Sequence, residues 1–259
     1  MDTKELLETL RESVRTTVNG FEEVAVAYSG GVDSSIIASL AKESARVTCY
    51  TCVMKGSFDA RNVKAYADTE GLTLHVITLT RGDLEKLVPR AGQAIGSVNP
   101  IQVAYSIPVL SVIEHAQEDL VLVGNGADEL FGGYAKYESS GDPRRQMVRD
   151  LEKMLSEKDS LVAFGNTRGK KLGFPFVSPD VTELAVSLPL ERMLNASGRK
   201  VILREVARLL GLGSHDRPKK AAQYSSGVLK EMERMAMSER MSTTDWLRSR
   251  TAEPNRRSA

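Results

Sequence analysis

Leu6, Leu10, Val14 and Val18 recur every four residues, with Leu7 beside them. That spacing predicts an amphipathic helix, stopped by Asn19-Gly20. Val24 to Tyr28 reads as a short buried strand running into paired glycines. Ser34 to Lys42 predicts a helix with Ile36, Ile37, Leu40 and Ala41 on one face. Val47 to Val53 is a second strand. Asp59 to Glu70 is a second helix of this series, with Val63, Tyr66 and Ala67 inward and Gly71 ending it. Leu74 to Leu79 is a third strand. Gln102 to Gln117 is helical, with Pro108 kinking or dividing it. Leu120 to Val123 is a fourth strand, followed directly by another glycine-rich turn.

Strands alternating with helices predict an α/β fold: a doubly wound parallel sheet with helices on both faces. Ligands of such sheets sit beyond the carboxyl ends of the strands. Both glycine-rich turns fall there. From about Asp142 the texture changes. Met147 to Leu155, Val181 to Leu188, Lys200 to Leu210 and Val228 to Met237 predict helices, and Gly165 to Pro179 reads as loop. The expected division is a sheet core over residues 1–140, a helical C-terminal region over 141–250 that completes the site, and a polar, basic, disordered tail over 251–259.

Composition narrows the function classes. Of 259 residues, 27% are charged and the formal net charge is +1, so no global field draws the chain to nucleic acid or membrane. No stretch approaches the roughly 18 apolar residues of a spanning helix, and the cytoplasm is the default expectation. Cys49 and Cys52 have C-x-x-C spacing. They lie three apart in an expected strand, so they point to opposite faces, and packing outweighs redox chemistry. His75, His115 and His215 show no metal-ligand spacing.

The first turn carries the chemistry. A strand ends, then Ser29-Gly30-Gly31-Val32-Asp33-Ser34-Ser35 opens a helix. Paired glycines let backbone N–H groups approach an anion, and a helix N-terminus adds free donors and partial positive charge. Three hydroxyls add donors. The result is a phosphate cradle. No lysine follows the glycines, so this is not the G-x-x-x-x-G-K-S/T loop. Asp33 beside phosphates implies a divalent cation between them.

This string resembles the pyrophosphate loop of the ATP-pyrophosphatase superfamily, with its adenine nucleotide alpha hydrolase-like fold. The second turn, Gly124-Asn125-Gly126-Ala127-Asp128-Glu129-Leu130-Phe131-Gly132-Gly133-Tyr134, resembles the G-x-G-x-D-E-x-F-G-G-Y signature of the synthetase domain of asparagine synthetases. The resemblance implies that ATP is cleaved between its α and β phosphates. It makes Asp33 and Asp128 joint ligands of Mg2+, and sets Ser29, Gly30, Gly31, Ser34 and Ser35 around pyrophosphate. It puts Gly124, Gly126 and Ala127 near the adenylate, and Ala27 and Val53 at adenine. Lys55 to Ala60 resembles the family's second ATP loop. Lys200 to Glu205 and Arg217-Pro218-Lys219 resemble its K-x-x-L-R-E and R-x-K elements, with Lys219 expected at the α phosphate and catalytic beside Asp33 and Asp128.

Departures fall on the acceptor side. The glutaminase domain that begins with a nucleophilic cysteine has no counterpart in this sequence, so ammonia is expected free or from a separate glutaminase partner. Asn125 stands where these synthetases carry Glu. Lys171, Gly173, Val177 and Ser178 replace charged positions around Pro175-Phe176. Three functions follow as expectations. The first is an amide ligase joining a small carboxylate acceptor to ammonia or an amine. The second is a tRNA-modifying enzyme using Arg144, Arg145, Arg149, Arg168, Lys170 and Lys171 as a phosphate-binding patch. The third is a nucleotide-binding protein without chemistry.

Overall fold

The computed structural model describes residues 2–217 and 226–251. The first helix, α1 (Thr3–Val18), buries Leu6, Leu7, Leu10, Val14 and Val18, the stripe its four-residue spacing predicts. It leads into a five-stranded sheet of β1 (Glu23–Ala27), β2 (Arg46–Met54), β3 (Thr73–Leu79), β4 (Leu120–Leu122) and β5 (Lys171–Gly173), in the order β3-β2-β1-β4-β5. Every neighbouring pair is parallel. The doubly wound parallel sheet read from the sequence is therefore the architecture observed.

Between the strands run α2 (Val32–Ala41), α3 (Phe58–Thr69), α4 (Arg81–Ala94), α5 (Pro100–His115), the single turn α6 (Ala127–Leu130) and the long α7 (Pro143–Asn166). After β5 come α8 (Pro179–Ser187), a two-residue antiparallel ribbon of β6 (Leu194–Asn195) and β7 (Gly198–Arg199), α9 (Val201–Leu209), and the helices Val228–Ser238 and Thr243–Thr251.

The strand side chains alternate between two cores, as the period-2 geometry of a strand requires. Val24, Val26, Cys49, Leu120 and Leu122 face one core, with α1, α2, α8 and α9. Ala25, Tyr50, Cys52, Val121 and Val123 face the other, with α4, α5 and the last two helices. Cys49 and Cys52 thus belong to opposite faces.

Several local expectations change. Pro108 neither divides nor ends its helix, since α5 runs unbroken from Pro100 to His115 after an Asn99 cap that accepts from Ile101 N and Gln102 N. α4 was not foreseen. Its interior Pro89 and two glycines hide a helix that a Thr80/Asp83 capping box starts. The stretch Gly165 to Pro179 is not all loop. Three of its residues form β5, one of the sheet's two edge strands, too short for alternation to show. Of the expected tail, Thr251 closes a helix, and residues 252–259 lie outside the described residues. Among the described residues, no helix is long and apolar enough to cross a membrane.

Candidate active site at the sheet switch point

From β1 the chain winds outward through β2 and β3, then returns to place β4 on β1's other side. The strand order reverses at that point, and the crevice beyond the carboxyl ends of β1 and β4 is where such sheets hold ligands. Both glycine-rich turns open into it. A cleft of about 470 Å3 occupies the crevice. Its floor includes Ala27, Ser29, Asp33, Ser34, Gly124 and Gly126.

The first turn is tightly specified. Gly30 has φ +74°, and a Cβ there would lie 2.6 Å from Tyr66 Cδ2. Only glycine meets both conditions. Ser34 Oγ accepts from Ser29 N at 3.2 Å and lies 3.3 Å from Ser29 Oγ, gathering the hydroxyls on the cleft side. No side chain caps the N-terminus of α2, whose cap position is Gly31. Apart from the Gly31 N–H, which donates to Ser29 Oγ at 3.3 Å, its backbone donors stay available to an anion. The second turn is equally constrained. Gly126 has φ +94°, and a Cβ there would overlap Val177 Cγ1.

The two turns meet on one cation. Lys200 Nζ lies 2.6 Å from Asp33 Oδ2 and 2.7 Å from Asp128 Oδ1. The carboxylate oxygens can be no farther apart than those two contacts laid end to end. The lysine side chain is 1% exposed, against 23% and 26% for the aspartates. Burial pulls its pKa below the ordinary lysine value, while Asp33 opposes that shift. Its backbone is in the left-handed region, φ 55°, just before α9. A non-glycine residue there is strained, and such strain concentrates at functional sites. Gly133 clears the space: a Cβ there would overlap Asp128 Oδ1 and Lys200 Cε.

The family model described as asparagine synthase matches residues 5–173. The chain belongs to the asparagine synthase family. It is 32% identical to the protein named putative asparagine synthetase 1 (glutamine-hydrolyzing) of Methanocaldococcus jannaschii, over 91% of this chain and 52% of that one. Asparagine synthetase B (glutamine-hydrolyzing) of Escherichia coli K12 is 24% identical over 79% of this chain and 41% of its own. The chain thus spans about half the length of the curated relatives it matches. A solved NMN synthetase of Francisella tularensis aligns over 97% of this chain with a TM-score of 0.46 and 12% identity, too distant to bear on the reaction.

Of the residues that the asparagine synthase resemblance singled out, Ala27, Ser29, Asp33, Ser34, Gly124, Gly126 and Asp128 line the cleft. Gly30 and Gly31 form the turn beside it. Ser35 and Ala127 are fully buried behind it, and Val53 is buried without reaching it. Neighbouring Tyr50, Thr51 and Cys52 face the cleft instead. Lys219 lies outside the described residues. Lys200 was read only as the first letter of K-x-x-L-R-E. Nothing local marks a lysine as fully buried, and the sequence places it only as the first residue of an expected helix, where the structure makes it the cap before Val201.

The acceptor-side departures also find places. Val177 packs against Gly126. Lys171 Nζ lies 5.4 Å from the Phe21 ring centroid, at the start of β5 and away from the cleft. A Cβ on Gly173 would meet Leu122 Cδ2 and Thr17 Cγ2 at 2.5 Å each, so this position has room only for glycine. Asn125 lines the cleft. Farther out, single side chains from α5 and α7 form the wall. Glu157 accepts from Gln102 Nε2 at 2.7 Å and from the Tyr105 hydroxyl. Burial raises its pKa above the ordinary carboxyl value. Glu129, raised by burial too, accepts from Tyr134 OH at 2.6 Å. Asp150 pairs with Lys136 at 2.6 Å.

Proposed function

We propose that this chain is an ATP-dependent ligase forming AMP and pyrophosphate. In the first step a carboxylate oxygen attacks the α-phosphorus, and the bond to the α–β bridging oxygen breaks. Pyrophosphate leaves with that electron pair. In the second step ammonia or an amine attacks the acyl carbon, AMP departs, and the nitrogen sheds a proton. The observation that carries this reading is the meeting of Asp33 and Asp128 on Lys200, beside the glycine turn and at the switch point.

The residues fit Mg2+. Asp33 Oδ1 is buried without a hydrogen-bond partner among the described residues, a lone-pair set suited to a hard cation. Those residues hold no group of three or more metal-ligating side chains. Two carboxylates plus substrate phosphates are the usual Mg2+ arrangement. Asp33 and Asp128 would hold it, and when bound it offsets phosphate charge and polarises the phosphoryl oxygens.

The chain's own groups do the rest. The turn N–H groups and the serine hydroxyls receive the leaving phosphates. Lys200 holds a positive charge where charge builds on the phosphoryl oxygens, and its carboxylate partners keep that charge in place. Lys219 is the second cation of this reading. Burial of the cleft floor lowers the effective dielectric and strengthens each of these contacts.

Residues 1–140 supply the nucleotide core of this reading and 141–250 the wall that completes the cleft. ATP and Mg2+ are its small-molecule requirements, a small carboxylate and ammonia or an amine its substrates, a separate glutaminase a possible nitrogen donor, and the cytoplasm its compartment. The tRNA alternative loses support from geometry. Arg168 pairs with Glu114, Lys170 donates to Gln117 O, and both lie near the start of β5, opposite the cleft. Arg144 is spent on the Leu188 carbonyl. Pyrophosphate release over a panel of acids with ammonium, with and without bulk tRNA, tests the reading. It expects release with an acid plus ammonium. Release with tRNA alone would replace it, and no release with any acceptor despite ATP binding would leave a binding protein.

A further inference from the structure

Arg217 begins the R-x-K element, and the phosphate site as described makes no use of it. Its guanidinium is nonetheless the most heavily engaged in the molecule's phosphate end. Nη2 pairs with Glu70 Oε1 at 2.9 Å, with side chains only 12% and 2% exposed. Nη1 donates to the Gly30 carbonyl at 2.8 Å and lies 3.5 Å from Tyr28 OH. The guanidinium carbon stacks 4.0 Å from the Tyr66 ring centroid. Tyr28 OH in turn donates to Glu70 Oε2 at 3.0 Å. Burying such an ion pair is costly unless its groups are met; here Glu70 Oε2 accepts from Tyr28 OH, and Oε1 is met by the Arg217 charge alone, without a hydrogen bond.

The peptide between Gly30 and Gly31 explains the arrangement. A trans peptide points its C=O and N–H in opposite directions. The Gly30 carbonyl faces Arg217. The Gly31 N–H faces the other way and donates to Ser29 Oγ at 3.3 Å, a side chain that lines the cleft. Rotating this peptide would exchange the donor for a carbonyl oxygen, which repels phosphate. Tyr66 fills the space beneath Gly30. Arg217 holds the Gly30 carbonyl, and that hydrogen bond would be lost on rotation. Its own backbone is fixed from α9, where Arg204 Nη1 donates to the carbonyls of His215 at 2.6 Å and Arg217 at 3.1 Å.

We infer that Arg217, seated on Glu70, is a positioning residue that turns the Gly31 N–H toward the phosphates and so sets the affinity of the loop for pyrophosphate but not for the nucleoside. This rests on the reading of the first turn as a phosphate site. The same helix that delivers Lys200 to the aspartates therefore also governs the loop's donors, through Arg204.

Calorimetry with Mg-pyrophosphate and, separately, with AMP tests this. Removing Arg217 alone strands the Glu70 carboxylate, so the informative protein is the double variant Arg217→Met with Glu70→Gln. Arg217→Lys and Glu70→Gln serve as milder partners. Pyrophosphate affinity should fall ten- to a hundredfold in the double variant and less in Arg217→Lys, with AMP affinity within twofold of wild type. Equal losses for both ligands would make the cluster merely structural and overturn the inference, as would unchanged pyrophosphate affinity in every variant. Failure of wild type itself to bind pyrophosphate would sink the phosphate-site reading instead. Should the double variant not fold, the two milder variants must still show the split between pyrophosphate and AMP, or the inference falls.

Discussion

The two ends of the cleft are built in different ways. At the phosphate end, each turn is one contiguous string that follows a strand and opens a helix. Its geometry comes from backbone donors, glycines that nothing else can replace, and two aspartates in short reach of one ammonium. At the acceptor end, Gln102 and Tyr105 come from α5, Asp150, Lys153 and Glu157 from α7, and Asn125 and Tyr134 from the loops around α6. No backbone constraint fixes these identities. A helix face tolerates exchange of a single side chain, whereas a turn at positive φ does not. On the proposed reading, the phosphate end is thus bound to its chemistry, and the acceptor end is free to change substrate.

Substitutions should separate the ends by magnitude. Asp33→Asn and Asp128→Asn should each cut pyrophosphate formation by about a thousandfold or more, because a metal-bearing carboxylate is lost; near wild-type rates in both would remove the metal assignment. Lys200→Met should cost about 10²–10³ in rate, the usual loss for one preorganised electrostatic group. It should also lower the melting temperature in chelator, since two neighbouring carboxylates lose their shared cation. Added Mg2+ should recover part of that loss in Lys200→Met, and recover nothing if Asp33 or Asp128 is also replaced. Equal melting curves with and without Mg2+ would contradict the shared-cation account.

The acceptor end should respond more mildly. Glu157→Gln should raise the acceptor KM about tenfold, the effect of one charge-assisted contact, and leave the ATP KM alone. An ATP KM shifted equally would place Glu157 at the wrong end. Stability carries a sign. Burial raises the Glu157 pKa in the folded chain, so its contribution is fully present below the unfolded value and is lost as pH rises through the folded one. The melting temperature of Glu157→Gln relative to wild type should therefore climb between about pH 4.5, the ordinary carboxyl range, and pH 8. A gap independent of pH would show that the carboxyl gains nothing from protonation. Cys49→Ser and Cys52→Ser should matter least, with activity within about twofold. Burial pushes those thiols up to about 12 and about 11, so iodoacetamide should label them only on unfolding. Labelling of the native protein would contradict the inert reading.

The same contrast explains what could be read from the sequence. Asp33 and Asp128 are 95 residues apart in number, yet each sits in a string whose glycines and strand-to-helix position declare it. The parallel sheet, though not its strand order, follows from alternating strands and helices, and counting puts the two cysteines on opposite faces. Lys200 escaped because its importance lies in being 1% exposed between two acids, and burial of a lysine is a tertiary fact. Glu157 escaped for the same reason, and the sequence shows Tyr66 only as an inward helix residue and Arg217 only as the start of R-x-K, because their partners arrive from distant elements. The family pattern expects Val53 at adenine; its side chain is fully buried, and neighbouring Cys52 lines the cleft. β5 escaped because three residues cannot show a period.

Binding of the Mg2+ complex of α,β-methylene-ATP, which resists cleavage between those phosphates, probes the central site most directly. Calorimetry should show saturable binding to wild type that chelator abolishes and that falls at least thirtyfold in both Asp33→Asn and Asp128→Asn. Equal affinity in wild type and both variants, or binding indifferent to chelator, would mean that the two turns do not hold a metal-bound triphosphate between them.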